Sequence, residues 1–446
     1  MSDALFHTTF ERGDEVEIAN RLLDQLQTGG PLTVSGADVY QYNAESGLWR
    51  PLSDDQLSSM VSNFAGALIL GAVPRILKIS SGAIRGALQI MKSRLRAVHS
   101  LYQLEFPRAG VAFADCFVHV AGGIIAVEQH RPENMAVHGF PFSYDPGGST
   151  SQLQQFFSEI FGDLPLWEAT ELILLLQEFI GASLVGEATR YQKCIVVYGP
   201  GNNGKSALLE ILTAVFPPSS VASLPPQDWN QRFRTASLVG KLVNIVNEIP
   251  EREIVASAVF KSIISGEPLT GEHKMLTPFR FSPLAGHIFS ANTLPATSDH
   301  SLGFWCPIEV VPLSREMSSL PNCRPDVAKE VIRLEHPGLV AWAIQGAARA
   351  QQQRGYRRAV KSSEVVSLWR RDADSVALFV AQGCTPTATA ETPGGALYGS
   401  YRQWAIANGF KSVSSMVFLK RLNAIGHLAV HTRGGNVYHL KPHSSW

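Results

Sequence analysis

Residues Gly199, Pro200, Gly201, Asn202, Asn203, Gly204, Lys205 and Ser206 form a loop sequence whose spacing suits one task above others, the wrapping of phosphate groups. Glycines and small turn-formers let successive backbone N–H groups curl around the phosphates. The Lys reaches the outer phosphates, and the Ser hydroxyl holds Mg²⁺. The flanks agree with the letters. Cys194 to Tyr198 is a short apolar, β-branched run that predicts a strand, and Ser206 to Phe216 repeats apolar residues at helical spacing until Pro217 and Pro218 stop it. ATP and Mg²⁺ are the ligands expected, with Gly199 through Ser206 as the nucleotide-binding residues. Two other readings fit the glycines. Gly199-x-Gly201-x-x-Gly204 also matches a dinucleotide fingerprint with Asp228 as the acidic ribose partner, but Asp228 follows the Pro-rich Leu224-Pro225-Pro226 and the Lys-Ser pair is then unexplained. The other is a chance match in a structural turn.

The chain of 446 residues is 45% hydrophobic, enough for two to four cores. The amino terminus lacks the order of a signal peptide, and the longest apolar run, around Phe64 to Val73, is too short to span a bilayer, so a cytoplasmic protein without membrane contact is expected. Five widely spaced cysteines, Cys116, Cys194, Cys306, Cys323 and Cys384, read as reduced and mostly buried thiols. Zero net charge conceals polarity. Residues 1–190 carry 12 Lys and Arg against 21 Asp and Glu, and residues 191–446 carry 26 against 17. A basic carboxy-terminal part suits a nucleic-acid partner or a solvated surface. Two basic runs stand out, Arg75 to Arg108 and Arg349 to Arg371, the second with Arg354, Arg357, Arg358 and Lys361 at helical spacing.

Pattern divides the chain into an α+β unit over 1–150, a helical collar over 151–190, an α/β core over 191–318, a helical segment over 319–385 and a small terminal unit over 386–446. In the last, helices over Ala396 to Ala407 and Ser414 to Ala424 precede a hairpin with Gly434 and Gly435 at its turn and Arg433 at its tip. That outline is winged-helix-like, with Lys420 and Arg421 placed to enter a DNA groove or to meet protein. His431, His439 and His443 lack acidic or Cys partners and read as surface residues rather than metal ligands.

An ATPase needs an acidic strand end beside its phosphate loop. Leu242 to Val246 predicts a strand ending in Asn247 and Glu248, with Glu248 as general base or water-positioner, Asn247 where an Asp often sits, and Ser206 and Glu248 as the metal-side residues. Gly286 to Ala291 predicts another strand, ending in Asn292, a candidate γ-phosphate sensor. Lys205, Glu248 and Asn292 are the catalytic candidates.

In this order, Gly199 to Ser206, Asn247-Glu248, Phe260 to Lys274 and Ser290 to Pro295 resemble the four motifs of superfamily 3 helicases, in the phage and plasmid primase-helicase branch. Tyr40 to Trp49, Gly110 to Phe117 and Tyr144-Asp145-Pro146 resemble the amino-terminal domain shared with poxvirus primase-helicases. Pro337 to Trp342 and Tyr398 to Gly409 extend the likeness. The resemblance implies an AAA+ type P-loop core, a homo-hexameric ring with ATP between subunits, and one DNA strand in the channel. It places a pore hairpin at Glu272, His273 and Lys274, with His273 and Lys274 as the DNA contacts. A separate primase is an implied partner, because no polymerising domain precedes the core. One departure is plain: the Arg pair expected after Phe304-Trp305 is replaced by Cys306-Pro307, leaving Arg315 as the candidate arginine finger. The expected function is ATP-dependent DNA unwinding in replication of a phage, plasmid or integrated element. An ATP-binding initiator or scaffold that assembles on DNA with little hydrolysis is the rival, and a small-molecule P-loop kinase is a third reading.

Overall fold

The computed structural model describes residues 9–36, 38–98, 108–249, 257–272, 274, 278–295, 302–317, 324–388, 392–410, 412–432 and 435–443. The chain is mixed α/β, and its centre is a five-stranded parallel sheet. In spatial order the strands are Val221–Ala222, Val243–Val246, Gly286–Ala291, Cys194–Tyr198 and Ile308–Pro312. Their residues are almost all buried, as expected for strands covered on both faces.

Register follows from that order. Tyr198 lies beside Ala291 and Val246 beside Phe289, so the first two strands end level, at Gly199 and Asn292, and the third ends two residues earlier, at Asn247. This carboxyl edge is where parallel α/β sheets bind ligands.

Two apolar cores flank the sheet, one built on Val196, Val246 and Phe289 and a larger one on Val197, Ile245 and Ile288. The larger joins Val197, Leu208 and Leu212 of the loop strand and the helix Lys205–Ala214 to the helices Ser151–Ile160, Leu166–Leu184 and Val327–Gln353. The last two cross closely. A Cβ on Gly181 would lie 2.0 Å from the Ala343 carbonyl oxygen, so only glycine admits the crossing.

Packing gathers the flanking residues into further cores. Val111, Phe113, Val118 and Phe140 belong to the core of the central sheet, whereas Phe10 to Leu95 enclose a core of their own. Leu48 packs with Ala112, Phe117 and Ala136, so these two regions also meet. The helix Ser375–Gly383 contributes Val376 and Phe379 to the carboxy-terminal core. That terminal unit contains the helices Ser375–Gly383, Gly394–Ala407 and Ser415–Ala424 and an antiparallel sheet ordered Thr392–Pro393, Gly435–Tyr438, Val430–Thr432. Arg433 and Gly434, at the hairpin turn, lie outside the described residues.

Among the described residues four cysteines are free. Cys194 and Cys384 are buried and Cys116 is half-buried, but Cys306 is exposed, because it sits in the turn that replaces the expected Arg pair. No helix among the described residues is long and apolar enough to cross a membrane.

Candidate nucleotide site

The loop begins where the strand Cys194–Tyr198 ends and closes into the helix Lys205–Ala214. Gly204 caps that helix at φ +85°, where an L side chain would be strained, and a Cβ there would meet Ile160 Cγ2 at 2.9 Å. Gly201 faces open space and Ser206 is exposed, so the loop offers a cradle and a hydroxyl at a helix N-terminus, where anions are favoured. The residues fit a nucleotide phosphate chain with its Mg²⁺.

Lys205 is only 8% exposed and is turned into its own loop. Its Nζ donates to Gly199 O at 2.6 Å, Pro200 O at 2.5 Å and Asn203 Oδ1 at 3.0 Å. Burial pulls its pKa below the ordinary lysine value, and the nearby Glu248 charge opposes that shift. Asn203 is buried and donates from Nδ2 to Leu313 O at 2.5 Å. The segment after the strand Ile308–Pro312 is thus strapped across the loop, with Leu313 N donating to Tyr198 O and Met317 N to Asn202 O, both at 2.7 Å.

Two of the predicted catalytic residues meet. Asn292 Nδ2 donates to Glu248 Oε1 at 3.1 Å, and both side chains are exposed at the edge of the sheet. Ser206 and Asn247 line one cleft of about 910 Å³ together with Glu210, Phe140, Phe142 and His336. The cleft lies between the Gly139 to Phe142 stretch and the outer face of the loop helix, a neighbour the local motif does not reveal.

Arg315 lies near the loop, but its Nη1 donates to Glu159 O at 2.9 Å within the same chain. The signal that could have located this partner, a carbonyl at a helix end 156 residues away, is not a sequence signal.

The hairpin Leu269–Gly271 with Phe279–Phe281 stands where the resemblance puts the pore element. Lys274 is exposed at its turn, and His273 lies outside the described residues. Glu272 is held by Arg232, whose Nη2 and Nε donate to the two carboxylate oxygens at 2.7 and 2.8 Å. The Arg232 guanidinium also lies 4.9 Å from the centre of the Phe233 ring. Phe233 is 40% exposed at φ +70°, a costly backbone conformation for a bulky residue. Sequence reading passed over this Arg232 to Arg234 segment.

In the terminal unit Lys420 is exposed, but Arg421 turns inward and its Nη1 lies 3.5 Å from Asp374 Oδ1. That carboxylate also caps the helix Ser375–Gly383, so Arg421 is committed to the fold rather than to a groove. Among the described residues no group of three or more His, Cys, Asp or Glu could hold a metal.

Residues 197–301, which include the loop, Glu248 and Asn292, match the model of DUF5906, described as a family of unknown function. No curated protein matches the chain. Among solved structures, the A form apo structure of the NrS-1 C-terminal region is 12% identical with a TM-score of 0.46, covering 96% of this chain and 100% of that one. A second A form structure of that region gives 11% and 0.47, covering 96% and 99%. A further apo structure of the same region gives 12% and 0.44, covering 97% and 100%.

Proposed function

We propose that this chain is an ATP-dependent DNA motor, a superfamily 3 type helicase working as a homo-hexameric ring in replication of a phage, plasmid or integrated element. The observation that carries the reading is the Asn292 to Glu248 contact at the carboxyl edge of the sheet, made by the strands one and two over from the phosphate loop. The carboxylate and the polar sensor, in this reading, face the outer phosphate of a nucleotide held in that loop. In this reading the central sheet is an AAA+ type core and the terminal unit a winged helix.

Lys205 leaves its loop carbonyls to bind the outer phosphates, and Ser206 and Glu248 would stand on the metal side, with Asn247 where an Asp often sits. Bound Mg²⁺ supplies charge neutralisation across the phosphates. Glu248 orients the attacking water and accepts its proton, while Asn292 holds Glu248 and reads the phosphate. Lys274 supplies a cation for the backbone of a single strand, and His273 is the second candidate contact. A separate primase is the proposed partner.

The rival reading is an ATP-binding initiator or scaffold that assembles on DNA and seldom hydrolyses. What favours it is Arg315, which is tied to Glu159 O and must break away to reach a neighbouring subunit. Cys306 and Pro307 supply no substitute cation.

The test is steady-state ATP hydrolysis by the purified chain with and without single-stranded DNA, with Lys205→Ala as the blank. Stimulation by DNA supports the motor. ATP binding without turnover moves the initiator reading ahead, and turnover retained in Lys205→Ala removes the nucleotide-site assignment.

A further inference from the structure

We propose that Asn203 is a positioning residue, a latch that holds Lys205 withdrawn inside the loop and ties that withdrawn state to the segment 313–317. The proposal deepens the nucleotide-site reading and rests on it for the role given to Lys205.

The geometry uses both ends of one amide. Asn203 is 1% exposed, its Nδ2 donating to Leu313 O at 2.5 Å and its Oδ1 accepting from Lys205 Nζ at 3.0 Å. The other two acceptors of the ammonium, Gly199 O and Pro200 O, are backbone atoms. Among the described residues Asn203 is therefore the side chain that hydrogen-bonds this lysine. It is also the side chain that joins the lysine to another element. Leu313 N to Tyr198 O and Met317 N to Asn202 O fasten the two ends of the 313–317 segment, and Asn203 fastens it to the lysine itself.

A buried ammonium with three oxygen partners is satisfied where it is. Phosphate has to draw it out, and the fraction of molecules with the lysine already free limits the apparent affinity. Release leaves Asn203 Oδ1 with only the Lys205 backbone N–H, at 3.4 Å, and loosens the amide that holds Leu313. The 313–317 segment carries Ser314, bonded to Asp163, and Arg315, bonded to Glu159 O. Movement of the lysine is thus passed to the arginine that a neighbouring subunit would need.

Two substitutions separate a latch from a merely structural residue. Asn203→Ala removes the acceptor for Lys205 and the donor to Leu313. Asn203→Asp strengthens the hold on Lys205 while removing the donor. Acylation of Lys205 by acetic anhydride at one fixed pH, followed by mass spectrometry of the full chain without nucleotide, reads the latch directly. Asn203→Ala is expected to raise the labelling rate several-fold and Asn203→Asp to leave it at or below wild type. MgADP affinity measured by calorimetry is expected to rise about three- to tenfold in Asn203→Ala and to fall in Asn203→Asp.

A residue that only shapes the loop would weaken MgADP binding in both variants. That pattern, or a Lys205 labelling rate unchanged in Asn203→Ala, overturns the proposal. Should Asn203→Ala fail to fold, faster labelling in Asn203→Asp than in wild type overturns it alone. If wild type binds no MgADP, the nucleotide-site reading fails, and the labelling rates still decide the latch.

Discussion

Asn292 Nδ2 and Glu248 Oε1 are 3.1 Å apart, although 44 residues separate them in sequence. Sheet order brings them together: the strands Val243–Val246 and Gly286–Ala291 are neighbours, the first ending two residues before Glu248 and the second just before Asn292. The amide fixes one carboxylate oxygen and leaves the other free to take a proton. Glu248→Gln should therefore keep MgATP binding within a few-fold of wild type while lowering kcat by about 100-fold or more. Single-turnover hydrolysis beside equilibrium binding separates the two effects, and parallel losses in both would remove the base assignment.

Lys205→Ala should lower hydrolysis by about two to three orders of magnitude, since it deletes the cation meant for the outer phosphates. The fold should survive, because the three oxygens it bonds include two carbonyls of a surface loop. Circular dichroism with a hydrolysis assay checks this. A collapse of the melting transition would make Lys205 a structural residue instead.

Lys274→Ala should spare basal hydrolysis and abolish strand separation, for Lys274 is exposed on a hairpin away from the phosphate loop. Arg232→Ala should weaken the same function partly, through loss of the bidentate hold on Glu272 that ties two loops together. Fluorescent strand-displacement rates would decide. Unwinding at wild-type speed in Lys274→Ala removes the hairpin from the DNA path.

His287 predicts acid sensitivity. It is fully buried against Trp229, ring centroids 4.8 Å apart, and burial lowers its pKa to about 3 from 6.5. The unfolded chain then binds a proton that the folded chain refuses. Its contribution to stability is complete above pH 6.5 and is lost as pH falls from 6.5 towards 3. His287→Phe should flatten the fall in denaturation midpoint over that window. Asn244 would stay satisfied, because its amide already pairs with Leu224 N and Leu224 O. An unchanged acid slope in His287→Phe would assign the sensitivity to other groups.

Arg421→Ala should cost about 1 kcal/mol of stability in the terminal unit and leave DNA affinity nearly unchanged, since the guanidinium is spent on Asp374. Lys420→Ala should do the reverse. Thermal melts and DNA titrations of the two variants compare them. DNA affinity lost in Arg421→Ala would mean that the pair opens on binding.

Local features were legible in the sequence because local chemistry fixes them. The phosphate loop follows from glycine spacing, and the strand ends at Val246 and Ala291 from short, mostly apolar runs that give way to polar residues. Each of these is decided within a few residues by backbone hydrogen bonding and side-chain period. Tertiary structure alone decided the partners: that Gly286–Ala291 lies between the loop strand and the Glu248 strand, that Arg315 binds Glu159 O, that Asp374 takes Arg421, and that Asn203 reaches Leu313, 110 residues on. The same Arg or Asn would read identically whether free or engaged. Which it is depends on the geometry of packed elements distant in the chain, and spacing along the sequence carries no record of that distance.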